Sequence, residues 1–240
     1  MRCALIHGFA GAPANWGDVI DRWQLPEPPR AIALPGHGGG PVLAGWEANL
    51  ATVARATAGC DAVVGYSLGA RVALGLIANG HAAFGVLIGV NPGISGIAEA
   101  ARLERQRLDA AWARILRTEG LARFFEAWEQ QPLFASQQRV APLLRAERRA
   151  RRLRLDPEQL AQSLEQMGLG AMPDYGPAIT AHRDRIALIA GVDDAKYIAI
   201  SQGLPARVIE TVPGSGHDPT LEQPALLAAA IASAIVTLRS

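Results

Sequence analysis

The stretch Val63-Val64-Gly65-Tyr66-Ser67-Leu68-Gly69-Ala70-Arg71 constrains the fold more than any other part of the chain. Two β-branched apolar residues close a short run, a G-x-S-x-G spacing follows, and residues 70–78 read as a buried helix. Strand, sharp turn, helix places Ser67 at the tip of a strand in strained backbone. Glycines flank it because a Cβ at either position would strike the neighbouring strand or helix. A glycine-rich connection carrying an ordinary serine would share the pattern, so its meaning depends on which partners the rest of the chain supplies.

Around this stretch, short apolar runs at 3–6, 31–34, 62–64, 86–90, 186–190 and 208–212 alternate with helical patterns at 46–58, 68–79 and 222–238. That alternation predicts an α/β fold, a mostly parallel sheet of about six strands covered by helices on both faces. At 240 residues, half of them hydrophobic, one domain spanning 1–240 is expected. Residues 99–173 break the rhythm. Leu108, Trp112, Ile115 and Leu116 form one stripe, and Leu121, Phe124, Phe125 and Trp128 form another. This segment reads as a helical lid inserted between core segments 1–98 and 174–240. A net charge of +1 gives no global field for nucleic acid. The N-terminal apolar run is too short for a signal peptide, and the stretch at 225–236 is too short to span a bilayer. A soluble, cytoplasmic protein that engages neither nucleic acid nor membrane is therefore expected. Cys3 and Cys60 make neither a metal spacing nor a disulfide framework and read as buried thiols, so no metal is expected.

Ligand sites in open parallel sheets form beyond the carboxyl ends of the strands. Here those ends run into His7-Gly8-Phe9, Pro35-Gly36-His37-Gly38, Ser67, Asn91-Pro92-Gly93, Asp193-Asp194 and Gly214-Ser215-Gly216-His217. A serine hydroxyl needs a neighbour to take its proton, and an imidazole held by a carboxylate does this near neutral pH. His217, in a glycine-flanked loop after the last strand, is the candidate base. Asp194 is the preferred acid, with the adjacent Asp193 as the alternative. The order Ser, Asp, His fits this strand–turn–helix context. The backbone N–H groups of Leu68 and Phe9 are the expected oxyanion donors. His7 and His37, in tight glycine loops, read as turn-stabilising residues, and His81 and His182 as surface residues.

The lid segment 99–156 carries 13 arginines against 8 acidic residues. Most read as a solvated, composition-driven face. Arg105 differs because it shares the helical face of Leu108 and Trp112, where a cation needs an anion to pair with. If the lid closes over Ser67, that anion could be a substrate carboxylate, and Arg71 in the first turn after the elbow would add a second cation. Trp128 reads equally as core and as pocket wall.

The His7-Gly8-Phe9, Pro35–Gly38, elbow and Gly214–His217 motifs resemble the α/β-hydrolase superfamily. More narrowly, Gly65–Arg71, Glu104-Arg105-Gln106-Arg107 with Trp112, and Trp128-Glu129-Gln130-Gln131-Pro132-Leu133-Phe134-Ala135-Ser136 resemble the 2-succinyl-6-hydroxy-2,4-cyclohexadiene-1-carboxylate synthases of menaquinone biosynthesis. The resemblance covers nearly the whole chain. It implies a lyase that removes pyruvate from 2-succinyl-5-enolpyruvyl-6-hydroxy-3-cyclohexene-1-carboxylate, a small tricarboxylate, without a metal or organic cofactor. It also implies Tyr66, Arg71, Arg105 and Trp128 as pocket residues, with a further arginine from 148–154, for which spacing from Leu160 favours Arg152. The chain departs from the superfamily pattern in starting at the His-Gly strand, so the first two strands of the usual eight are missing. A serine hydrolase acting on a small anionic ester or a carbon–carbon bond would use the same triad and is the alternative reading.

Overall fold

The computed structural model describes residues 1–95 and 98–240. In chain order come β1 (Cys3–Ile6), α1 (Gly17–Ile20), β2 (Arg30–Ile32), α2 (Trp46–Ala56), β3 (Ala62–Tyr66), α3 (Leu68–Ala78) and β4 (Phe84–Ile88). Then follow α4 (Glu99–Thr118), α5 (Gly120–Trp128), a 3-10 segment (Pro132–Arg139), α6 (Pro142–Arg152), α7 (Pro157–Met167) and α8 (Gly176–Ala181). The sheet resumes with β5 (Ile186–Gly191), α9 (Ala195–Gln202), β6 (Val208–Val212), α10 (Pro219–Glu222) and α11 (Pro224–Arg239).

The strands form one sheet in the order β2-β1-β3-β4-β5-β6, every neighbouring pair parallel. Two apolar layers cover it. Leu50, Leu74, Ile77 and Ile179 from α2, α3 and α8 pack on one face, and Trp16, Val19, Leu227, Ile231 and Ile235 pack on the other. Burial on both faces explains why the strands read as unbroken apolar runs. Pairing, however, does not follow hydrophobicity residue by residue. β4 starts two residues before the expected run because Phe84 pairs with Ala62, and Val90 is buried without belonging to the strand. β2 likewise starts one residue early at Arg30, opposite Ala4, and ends at Ile32, leaving Leu34 buried outside it.

The chain leaves β1 for β2 on one side and returns to β3 on the other. This reversal opens a crevice at the carboxyl ends of β1 and β3, where Gly8–Gly11 and Ser67 lie. Close approach sets the elbow. A Cβ on Gly65 would overlap the Gly69 carbonyl, and one on Gly69 would overlap the carbonyl oxygens of Ile6 and His7. Ser67 between them has φ 54° and ψ −110°, a conformation disfavoured for any residue with a Cβ.

Helices α4–α7 lie between β4 and β5 and enclose an apolar centre of Ala113, Leu116, Phe124, Phe125, Leu160 and Leu164. Sequence punctuation starts these helices. Pro142 and Pro157 occupy first-turn positions, and Asp156 caps α7 by accepting from the N–H groups of Glu158 (2.8 Å) and Gln159 (3.2 Å). Leu108, expected on the buried stripe, is 52% exposed because its face of α4 fronts a cavity instead of the lid core.

Substituting Gly69→Ala should destabilise the fold by at least about 2–3 kcal/mol, because backbone oxygens must move to admit the methyl group. Gly17→Ala, where a Cβ meets nothing within 4 Å, should be neutral or slightly stabilising. Urea unfolding midpoints of the two variants measure the contrast, and equal midpoints would contradict the close approach.

Candidate active site

Three strand ends bring Ser67, His217 and Asp194 into one hydrogen-bonded chain. His217 Nδ1 lies 2.7 Å from Asp194 Oδ2, and His217 Nε2 lies 3.2 Å from Ser67 Oγ. A carboxylate facing Nδ1 assigns the proton to that nitrogen, leaving Nε2 to accept from the serine hydroxyl. Asp194 is also the N-cap of α9, its Oδ1 accepting from the Tyr197 N–H at 3.3 Å, so the carboxylate is held at both oxygens. Asp193 goes elsewhere. Its N–H donates to Ser215 O, and its side chain points out to pair with Arg139. The Ser67 N–H donates to Ile88 O (2.9 Å), tying the elbow tip to β4.

Among the described residues, the N–H groups of Phe9 and Leu68 have no protein acceptor. Leu68 is the first residue of α3, where an N–H has no intrahelical partner. Phe9 is positioned by a pair of buried histidines. His37 Nε2 accepts from the Ala10 N–H (3.0 Å) while its Nδ1 donates to Pro35 O (2.9 Å). His7 Nε2 accepts from the Leu34 N–H (3.2 Å) while its Nδ1 donates to Gly8 O (2.8 Å). A ring nitrogen that accepts from an amide carries no proton, so both rings are neutral. Burial holds His7 down to about 3, with repulsion from His37 adding to it, and burial holds His37 down to about 4.

Beside Ser67 lies a cavity of about 970 Å³ whose wall includes Tyr66, Arg71, Arg105, Trp128, Arg148 and Arg152. Trp128 both packs and lines. Its ring stacks on Phe124 (5.2 Å between centroids, 21°) and lies 5.3 Å from Phe9. Tyr66 is 7% exposed, and burial pushes its hydroxyl well above the usual range, so it stays protonated as a donor.

The arginines divide by what they hold. Arg105 has its anion within the chain, since Nε and Nη2 grip Asp109 at 2.6–3.1 Å. The anion that this cation is expected to need is thus supplied by Asp109, four residues on, and Arg105 also lies on the cavity wall. Arg152 donates to Glu129 Oε1 (3.0 Å) and lies over the Phe125 ring (5.7 Å to the centroid). Arg71 donates from Nη1 to Met167 O (3.2 Å) and toward Met172 Sδ (3.7 Å), and has no carboxylate partner among the described residues. Burial lowers it to about 10, and at neutral pH it is a desolvated cation facing the cavity.

Sequence reasoning missed Asp218 and Tyr197, and within 148–154 it favoured Arg152 over Arg148. Arg148 sits one turn before Arg152 on the same face of α6, a spacing hidden by the surrounding arginines. Asp218 directly follows His217, and the Tyr197 ring lies 4.4 Å from the imidazole. Cys3 is buried, and burial pushes its thiol up to about 11, whereas Cys60 is only half-buried. Among the described residues no group of three His, Cys, Asp or Glu side chains converges as metal ligands. No helix among them is long and apolar enough to cross a membrane.

The neutral histidines make the fold sensitive to acid. The unfolded chain protonates each imidazole near 6.5, while the fold keeps His37 neutral to about 4 and His7 to about 3. Between those limits the unfolded chain binds more protons, so stability falls as pH drops, by about 1.4 kcal/mol per pH unit for each histidine. His37→Gln should reduce that slope between pH 6.5 and 4.5 in urea titrations. An unchanged slope would contradict the assignment.

The alpha/beta hydrolase family model matches residues 4–230. The 2-succinyl-6-hydroxy-2,4-cyclohexadiene-1-carboxylate synthase of Enterobacter sp. (strain 638) is 34% identical over 98% of this chain and 91% of its own length. That of Klebsiella pneumoniae subsp. pneumoniae is 32% identical over 97% and 92%. The structure of MenH from S. aureus superposes with a TM-score of 0.91 at 26% identity, covering 100% of this chain and 95% of that one. The chain belongs to the α/β-hydrolase superfamily and, within it, to the 2-succinyl-6-hydroxy-2,4-cyclohexadiene-1-carboxylate synthase family.

Proposed function

We propose that the protein eliminates pyruvate from 2-succinyl-5-enolpyruvyl-6-hydroxy-3-cyclohexene-1-carboxylate to give 2-succinyl-6-hydroxy-2,4-cyclohexadiene-1-carboxylate, with Ser67, His217 and Asp194 as the catalytic residues. The observation that carries this reading is the joining of that triad to a cavity whose wall holds a half-buried Arg71 with no carboxylate partner among the described residues. Simple ester hydrolysis needs the triad but gives no reason to desolvate a guanidinium beside it. A tricarboxylate does, because guanidinium groups bind carboxylates through paired N–H donors.

In this mechanism His217 Nε2 takes the Ser67 proton, and the serine oxygen removes the proton α to the succinyl ketone. The enolate oxygen is received by the Phe9 and Leu68 N–H groups. Collapse of the enolate forms a double bond between ring carbons 2 and 3, shifts the existing 3,4 double bond to carbons 4 and 5, and breaks the carbon 5–oxygen bond to the enolpyruvyl group. That group leaves as the enolate of pyruvate and is protonated at carbon, while the proton on the enzyme is released to restore Ser67 and neutral His217. Arg71 and Arg152 bind substrate carboxylates, Arg105 adds its remaining N–H donors, and Tyr66 and Trp128 shape the pocket beside the ring.

Purified protein given the enolpyruvyl substrate should release pyruvate, measured by coupling to NADH-dependent lactate formation. No pyruvate together with brisk hydrolysis of aryl esters would sink the lyase reading in favour of a hydrolase. Ser67→Ala should lose at least about 10²–10³-fold in kcat. Asp194→Asn should be crippling where Asp193→Asn is mild, and the reverse ranking would reassign the acid. Arg71→Ala should raise KM far more than Arg117→Ala, whose guanidinium binds Glu158 and Glu165 on the outside of the lid.

A further inference from the structure

The loop that carries His217 is clamped by groups for which the elimination itself has no use. Glu222 of α10 accepts from the Gly216 N–H (2.8 Å) and the Asp218 N–H (3.2 Å), bracketing His217 on both sides. The Asp218 side chain is 1% exposed. Its Oδ1 accepts from the Thr220 hydroxyl (2.5 Å) and its Oδ2 from Arg148 Nη1 (3.0 Å). Arg148 reaches this position from lid helix α6 and is itself buried.

Buried ion pairs are poor sources of stability, since an apolar pair of similar volume is commonly as good or better. The position of this one suggests another use. Asp218 is the residue next to His217, and an uncompensated carboxylate there would favour the imidazolium and remove the free Nε2 that Ser67 needs. The other polar groups around the imidazole are Ser67 and Tyr66 at the end of β3, Asp194 after β5, and Tyr197 of α9. Phe134 of the 3-10 segment supplies an apolar edge. Farther out, Asp193 is paired with Arg139, Glu222 is engaged by the two amides, and Arg152, one turn beyond Arg148 on α6, also feels the Asp218 charge but donates to Glu129.

We propose that Arg148 is a positioning residue for the base: from the lid it neutralises Asp218 and fixes the His217 loop, leaving Asp194 as the carboxylate to which His217 responds. This rests on the reading of Ser67 and His217 as the reactive pair. It links the lid to the triad through charge, independently of any contact Arg148 makes with substrate.

The test follows the pH midpoint of the His217 imidazole by NMR in the full-length protein without substrate, with the resonance assigned through His217→Gln. In parallel, the pH dependence of Ser67 inactivation by a fluorophosphonate is measured. Arg148→Met should move the midpoint up by about one pH unit and slow inactivation up to about tenfold on the acid side. Asp218→Asn, which leaves the cation uncompensated, should move the midpoint down. Arg148→Lys and the double variant Arg148→Met/Asp218→Asn should both return toward the unsubstituted protein, and Arg151→Met on the exposed face should leave the midpoint unmoved. Opposite shifts with restoration in the double variant support the proposal. Shifts of the same sign, or no shift in Asp218→Asn, overturn it, and the latter reading stands even if Arg148→Met does not fold. Neither readout uses pyruvate release, so a failed elimination assay and a failed charge coupling remain separate results.

Discussion

The site depends first on how closely α3 approaches β1 and β3. With no Cβ on Gly65 or Gly69, the first turn of α3 sits against backbone instead of side chains. That approach forces Ser67 to φ 54° and exposes its hydroxyl at the strand tip. It also brings the unpaired first N–H of α3 to the same edge as the loop after β1. The Phe9 N–H on that loop is held in place by hydrogen bonds on either side of it, from His7 Nδ1–H to Gly8 O and from the Ala10 N–H to His37 Nε2. The proposed oxyanion site is thus assembled from backbone, and its precision comes from packing and two neutral imidazoles.

Charge in the lid is organised as pairs. Arg105 holds Asp109, Arg148 holds Asp218, Arg149 and Arg152 share Glu129, and Arg117 joins Glu158 to Glu165. The arginine excess of this segment therefore does not translate into as many free cations on the cavity. Internal carboxylates hold the guanidinium groups in fixed orientations and lower the conformational cost of binding an anion. They also compete with it. Arg71, held among the described residues by a carbonyl and a thioether and by no carboxylate, escapes that competition, which makes it the strongest candidate for the first carboxylate to bind.

How much of this was legible in the sequence depended on the range of the interaction. The elbow, the six strand ends and the turn-stabilising roles of His7 and His37 follow from local pattern, because glycine spacing and strand periodicity are properties of adjacent residues, whereas the neutrality of both rings depends on amides 27 residues away. Asp194 and Asp193 could not be separated that way, since their difference arises where Asp193 meets the Ser215 carbonyl and Asp194 caps α9. Arg105 shows a different failure. Asp109 lies four residues on, at helical salt-bridge spacing, but reading the stripe for hydrophobicity hid the pair. Leu108 was misplaced for a related reason: a stripe predicts which residues share a face, not whether that face meets core or cavity. Arg148 and Asp218 are 70 residues apart and meet only in the folded chain.

Three histidines gather at the same sheet edge, and what each Nε2 meets decides its chemistry. In His7 and His37 that nitrogen accepts from a buried backbone amide, a donor that cannot reverse, so protonation would set two donors against each other. In His217 it meets a serine hydroxyl, which can donate before proton transfer and accept after it, and Nδ1 faces a carboxylate that stabilises the cation. The amide locks a ring as scaffold, and the hydroxyl–carboxylate pair frees a ring to carry a proton. A second carboxylate one residue along would blur that distinction by favouring the cation at rest. A guanidinium delivered from the lid to that carboxylate is therefore the arrangement expected wherever a base must begin its cycle neutral amid so many fixed charges.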